Sequence, residues 1–407
     1  MNCRHCNAAL EQLVIDLGHQ PASNAYLTAE QLDGTEGYAP LRVYVCHQCW
    51  LVQIPSFHAS HELFTADYAY FSSVSNSWLA HAEAYVGKMV ERFGLTSDDW
   101  VVEVASNDGY LLQFVAAHGI RCTGVEPTAS TAAAARGKGI ESIERFFGAE
   151  LAQELVASRG HASLTAANNV LAHVPDINDF VAGFAVLLAP QGVSTFEFPH
   201  LVNLIDGCQF DTIYHEHYSY LSLTAVQAIF AAQGLRVFDV EEVPTHGGSL
   251  RVYACRTDAE HETTPAVQAM LDLEMDKGVT NPAWYAGLAA EAERIKLDLL
   301  DFLVKARRQG KRVAAYGAAA KGNTLLNYAG VRADLIDFVC DAAPSKQGRF
   351  MPGSHVPILA PAALAERKPD YVLILPWNLT AEIVSTQAEV RDWGGRFVVA
   401  VPRLKLL

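Results

Sequence analysis

Residues 100–126 read WVVEVASNDGYLLQFVAAHGIRCTGVE, and their pattern decides the fold. Trp100–Val104 is an apolar run that suits a strand covered on both faces, as in parallel sheets. Ala105-Ser-Asn-Asp-Gly109 is a tight small-residue turn, Tyr110–His118 has helical spacing, and Cys122–Val125 is a second strand ending in Glu126. Strand, glycine turn, helix, and an acid closing the next strand form a nucleoside-binding half-fold. In it the Glu126 carboxylate accepts from ribose hydroxyls. The turn has a single glycine and departs from the GxGxxG dinucleotide fingerprint, which weighs against NAD. Glu103, just before the turn, suits a ligand bearing a cation better than one bearing phosphates. S-adenosyl-L-methionine is such a ligand.

The alternation continues downstream. A helix near Ala149–Ser158 precedes a strand Ala162–Ala167, which runs into Asn168, Asn169 and then His173. In a doubly wound sheet the end of the fourth strand faces the ligand cleft, so these three are expected to point at the reacting groups. A packing or capping role is the plainer alternative for His173. A strand Val193–Phe198 follows, then Tyr214–Leu221, read YHEHYSYL, with two histidines, Glu216 and three tyrosines. That density of proton-handling groups suits acid–base chemistry, against the alternative of a polar loop with solvated histidines. Beyond a helix Leu223–Gln233, the turn Gly247-Gly248-Ser249 opens a strand carrying Arg251, which is expected to face the substrate.

Upstream, Cys3-x-x-Cys6 and Cys46-x-x-Cys49 are two knuckles that together complete a tetrahedral, all-thiolate zinc site. Four protein ligands leave no open position, so the zinc is structural; a redox pair is the alternative that the second knuckle disfavours. Cys122, Cys208, Cys255 and Cys340 stand in apolar contexts and read as core thiols. Between the knuckles and Trp100, DYAYFSSVSNSW is rich in hydroxyls and runs into a helix Trp78–Phe93 capped by Ser75 or Asn76. Those hydroxyls are turn and cap residues, or donors to phosphate oxygens. From Pro282 to Arg308 a long helical segment acts as a connector. Strands at Arg312–Tyr316, Leu335–Cys340, Tyr371–Leu375 and Phe397–Val401 then make a second α/β domain. Its first turn, GAAAKGNT, carries Lys321 beside a helix N-terminus, which suits a diphosphate, or is a turn that holds nothing.

The chain has 407 residues, half of them apolar and 18% charged, enough for two or three packed domains. A net charge of −15 disfavours a nucleic-acid partner held by its phosphates. No apolar run approaches a membrane span, the N-terminus lacks the order of a signal peptide, and the cysteine usage fits a reducing compartment. A cytoplasmic, monomeric protein without a membrane partner is expected.

Taken together, the paired knuckles, DYAYFSSVSNSW, EVASNDGYLL, GVEP, YHEHYSYLS, HGGSLR and YGAAAKGNTLLN resemble the nucleotide-diphosphate-sugar C-methyltransferases, in order and over nearly the whole chain. The resemblance implies an α/β protein with a zinc-binding domain over 1–66, a Rossmann-like domain binding S-adenosylmethionine with its active-site loops over 67–281, and a C-terminal Rossmann-like domain over 282–407. It places Glu103, Ala105, Asn107, Gly109 and Glu126 at the methyl donor, joined by Asn168. Tyr70, Ser73, Lys321 and Asn323 fall to the sugar nucleotide, usually a thymidine diphosphate sugar, and Asn169 to the central cleft; Arg251 is expected beside the substrate from its place after the Gly-Gly-Ser turn. His217 falls on the general base, with Tyr214, Glu216 and His173 beside it. The implied reaction is methylation at C-3 of a 4-keto-6-deoxy sugar through an enolate. Methylation at C-5, nitrogen or oxygen, a dehydrogenase, and a non-catalytic zinc-ribbon binder are the alternatives.

Overall fold

The computed structural model describes residues 1–57 and 71–407. Tyr70 lies outside the described residues. The N-terminal part is an antiparallel sheet of β1 (Gln12–Gln20), β2 (Ala39–Val45) and β3 (Val52–Gln53). In β2, Ala39, Leu41, Val43 and Val45 are buried and alternate with more exposed residues, the period-two pattern of a half-covered sheet. The fourth strand of this sheet comes from Ser219–Tyr220, inside YHEHYSYL, which pairs with β3.

The central sheet contains β4 (Trp100–Val104), β5 (Arg121–Val125), β6 (Ser142–Ile143), β7 (Ala162–Asn168) and β8 (Leu188–Pro199), all parallel. With Ser219–Tyr220 counted as β9, it is completed by β10 (Leu235–Val243) and β11 (Ser249–Arg256), the latter antiparallel to both neighbours. The order β10-β11-β8-β7-β4-β5-β6 reverses direction between β4 and β7. Ligands bind at such a switch point, beyond the carboxyl ends of the strands. Helices Leu112–Ala117 and Ala129–Gly137 link β4, β5 and β6 in turn, and Ile177–Leu187 precedes β8. The helix expected over Tyr110–His118 is shorter because the Asn107–Gly109 turn continues into it.

The C-terminal sheet runs β14 (Ile358–Leu359), β13 (Val339–Cys340), β12 (Val313–Tyr316), β15 (Tyr371–Ile374), β16 (Arg396–Val399) and β17 (Lys405–Leu406), parallel except for the last pair. The helix Gly287–Arg308 is more than a connector. Its Leu288, Ile295, Leu299 and Leu303 share one buried cluster with Leu41 and Val43 of β2, Phe210 and Ile213, and Leu325 and Leu326 beyond β12. Fully burying one such leucine is worth about 1.5–3 kcal/mol, so this common core fixes the three parts against one another.

Candidate active site

A cavity of about 750 Å³ opens at the switch point, walled by residues from all three parts of the chain. On the central sheet's side, Ala105, Asn107 and Gly109 have φ of 58°, 49° and 75°. Left-handed backbone costs a non-glycine residue about 1–3 kcal/mol and persists where the surroundings over-determine it. Here they do: the Ala105 amide donates to the Val125 carbonyl at 2.8 Å and the Asn107 amide to Glu126 Oε2 at 2.9 Å. At Gly109 a Cβ would stand 3.3 Å from both Ala135 and Ile140, so glycine also allows close helix packing.

Glu126 Oε1 accepts from the Thr128 amide at 2.9 Å, so two backbone donors aim the carboxylate. Burial nonetheless raises its pKa, those bonds opposing the shift. Glu103 sits behind the turn with both oxygens enclosed, beside the Tyr110 hydroxyl. Burial drives its pKa well up, Glu126 and Asp108 add to this, and the Tyr110 hydroxyl opposes it. Asn168 Oδ1 and Asn169 Oδ1 are likewise enclosed and without a partner among the described residues. The Glu126 carboxylate and the Asn168 and Asn169 oxygens fit a ligand that carries ribose hydroxyls, as S-adenosylmethionine does.

The opposite wall is the YHEHYSYL segment. His217 Nδ1 lies 2.9 Å from the Thr212 carbonyl, which can only accept, so Nδ1 carries the hydrogen and Nε2 the lone pair. Nε2 is 2.7 Å from the Tyr214 hydroxyl, which donates to it. The His173 ring meets His217 edge-on at 4.5 Å between centroids. Burial holds His217 well below the usual histidine range, His173 adding to the shift and the Thr212 carbonyl opposing it. Burial also brings His173 and His246 to about 4. All three histidines are therefore neutral near pH 7.

The C-terminal part contributes Lys321, whose Nζ donates to Asn378 Oδ1 at 2.7 Å and lies 4.7 Å from the Trp377 ring centroid. Burial lowers its pKa and Asp211 raises it. Asp211 is itself pushed up to about 6 by burial, and accepts from Trp377 Nε1 at 2.8 Å.

Of the residues singled out in the sequence, Ala105, Asn107, Glu126, Asn168, Asn169, His173, Tyr214, His217 and Lys321 stand together on the cavity wall. The other described ones stand off that wall. The Glu216 carboxylate accepts from Asn24 Nδ2 at 3.2 Å and so holds Asn24, a wall residue, while the Glu216 backbone bonds the His173 ring. Ser73 accepts from Lys138 Nζ at 2.6 Å while its neighbour Ser72 reaches the wall, and Asn323 donates to the Ser23 carbonyl. Arg251 is locked between Glu197 at 2.7 Å and Glu241 at 2.9 Å, over the Tyr85 ring, away from the cavity; two carboxylates claim its charge. Sequence reasoning passed over Tyr26, Trp78, His246 and Lys346, which also line the cavity. His246 had a signal, because HGG placed a left-handed residue (φ 53°) before two glycines.

The four knuckle cysteines bring their sulfurs within 4.8 Å of one another. Cys3–Cys49 and Cys6–Cys46 stand at 3.5 Å, close to the roughly 3.8 Å edge of a tetrahedral zinc–thiolate site. Each knuckle closes the same way: the Asn7 amide donates to the Cys3 carbonyl and the Trp50 amide to the Cys46 carbonyl, both at 3.0 Å, with φ of 62° and 59°. Gln53 Nε2 donates to Cys3 Sγ at 3.2 Å, an outer contact typical of a thiolate ligand.

Three family models match the chain: a zinc binding domain over residues 3–64, a methyltransferase domain over 78–240, and a C-methyltransferase C-terminal domain over 244–402. The C-methyltransferase NovU of Streptomyces niveus is 38% identical over 405 residues, covering 100% of this chain and 96% of that protein. A methyltransferase from Anabaena variabilis, S-adenosylmethionine-dependent, matches 50% of this chain and 96% of its own at 14% identity and a TM-score of 0.39. The magnesium protoporphyrin IX methyltransferase of Synechocystis, with bound S-adenosylmethionine, matches 44% of this chain and 79% of its own at 15% identity and a TM-score of 0.35.

Proposed function

Because the chain belongs to the zinc-binding, S-adenosylmethionine-dependent C-methyltransferases, we propose that it methylates C-3 of a 4-keto-6-deoxy sugar nucleotide, with thymidine diphosphate as the handle. What carries this reading is His217: a neutral imidazole with its tautomer pinned, its Nε2 lone pair inside the cavity that also holds Glu126 and Asn168.

The C–H bond next to the ketone breaks and its proton goes to His217 Nε2, leaving an enolate. The Tyr214 hydroxyl moves its hydrogen bond from Nε2 to the enolate oxygen, a donor worth about 3 kcal/mol or more of barrier. The depressed pKa of free His217 favours the neutral base. A dianionic diphosphate and a nascent enolate in the same cavity both pull that pKa back up during proton transfer. S-adenosylmethionine supplies the electrophilic methyl group. Glu126 would take its ribose hydroxyls, with Asn168 beside it on the wall that His217 also lines. Lys321 and Lys346 offer cations to the diphosphate. The zinc, saturated by four thiolates, holds the N-terminal fold and takes no part in polarising the ketone.

Carbon-13 NMR of the product formed with a labelled methyl donor tests this. A labelled methyl on a new quaternary C-3 is the expected result. A label at C-5, on oxygen or on nitrogen overturns the assignment.

A further inference from the structure

Arg4 stands between the zinc ligands Cys3 and Cys6, and its side chain leaves the knuckle for the active site. Nη1 donates to the Pro175 carbonyl at 2.9 Å and Nη2 to the Ile54 carbonyl at 2.5 Å. The guanidinium carbon lies over the Tyr218 ring, 5.2 Å from its centroid. Pro175 follows His173 by two residues and Tyr218 follows His217 directly, so one cation ties the two segments whose histidines meet edge-on. Neighbouring bonds brace the same strut. The Arg4 amide donates to Gln53 Oε1 at 2.9 Å, while Gln53 Nε2 reaches Cys3 Sγ. The Ile54 amide donates to the Tyr218 carbonyl at 3.1 Å. His5 and Asn178 add a second link, with Asn178 Nδ2 donating to the His5 carbonyl at 2.9 Å.

We propose that Arg4 is a positioning residue for the His173–His217 pair, through which the zinc knuckle sets the geometry of the base. This rests on the assignment of His217 as that base. A planar guanidinium can donate along two directions and stack at once, which the point charge of lysine cannot. A displacement of about 1 Å in a catalytic group costs on the order of 10²-fold in rate, so a metal with no open coordination site still bears on turnover.

The test compares Arg4→Met, which keeps the stem without donors, and Arg4→Lys, which keeps the charge. In zinc-loaded Arg4→Met, kcat is expected to fall roughly 10–100-fold. Zinc content, KM for the sugar nucleotide and Kd for S-adenosylmethionine should stay near wild type. Amide hydrogen exchange across residues 173–178 and 217–220 should quicken, and Arg4→Lys should fall between Arg4→Met and wild type in both rate and exchange. Wild-type kcat or wild-type exchange in Arg4→Met with zinc retained overturns the proposal. If Arg4→Met sheds its zinc, Arg4→Lys decides, and wild-type behaviour there overturns it. The exchange arm needs no turnover: Arg4-dependent exchange in a chain inactive on sugar nucleotides strikes the function and keeps the strut.

Discussion

Replacing His217 by asparagine separates the base from everything that supports it. The asparagine amide nitrogen overlays Nδ1, so the Thr212 carbonyl now held at 2.9 Å keeps a donor. What disappears is Nε2 and its lone pair, together with the acceptor for the Tyr214 hydroxyl at 2.7 Å. Loss of a positioned general base is worth about 10²–10⁴-fold, or roughly 3–5.5 kcal/mol of barrier. Losing that one hydrogen bond costs about 0.5–1.5 kcal/mol of stability, which moves the melting temperature by only a few degrees in a chain of this size. Single-turnover methyl transfer should therefore collapse while the fold survives, and the affinities for methyl donor and sugar nucleotide should stay within several-fold of wild type. Wash-in of solvent deuterium at the carbon beside the ketone, measured without methyl donor, should slow in parallel because it reads the proton step alone. A variant that transfers methyl at near-normal rate, or that exchanges the proton normally, removes His217 from this role.

Three further outcomes are expected. Elemental analysis should find one zinc per chain in the wild type and none in Cys46→Ser, in which limited proteolysis should cut first among the N-terminal strands. Structural zinc contributes about 10–16 kcal/mol in small sites. Glu126→Gln puts an amide where two backbone donors converge, so calorimetry should show S-adenosylmethionine binding weakened roughly 10–100-fold with the sugar nucleotide unaffected. Acid should destabilise the protein through His246, whose pKa falls from 6.5 unfolded to about 4 folded. Between those values the unfolded chain binds more protons, so this stability is complete above pH 6.5 and drains away as pH drops toward 4. The raised carboxyls Glu103, Glu126, Glu216 and Asp211 act in the opposite sense, so the difference from His246→Gln isolates the effect. Between pH 7 and 5, urea unfolding should show the wild type losing roughly 2 kcal/mol more than the variant. Parallel curves for the two proteins refute it.

What the sequence shows of this molecule follows from how far its signals reach. Trp100–Val104 is a strand in sequence and structure alike, because a run covered on both faces needs no partner to be recognised. The turn after it announced itself through small residues and a glycine that its backbone requires. The pairing of Ser219–Tyr220 with β3 left no such mark, since two residues have no period and their partner is far away in sequence. Arg251 shows a similar limit: a lone cation on a strand looks available until Glu197 and Glu241, from two other strands, are seen to neutralise it. Lys346 and Tyr26 stayed hidden because only folding brings them to the Ala318 carbonyl they share, at 2.9 and 2.5 Å.

The late arrival of Ser219–Tyr220 has a bearing on biosynthesis. As the chain leaves the ribosome, Val52–Gln53 must wait for its outer neighbour, on the order of ten seconds or more at ordinary elongation speeds. Throughout that interval the nascent first sheet presents an uncapped rim, the kind of surface that recruits stray strands. A hybrid enzyme assembled by exchanging N-terminal modules between relatives would inherit the same gap unless the later dipeptide travelled with its host.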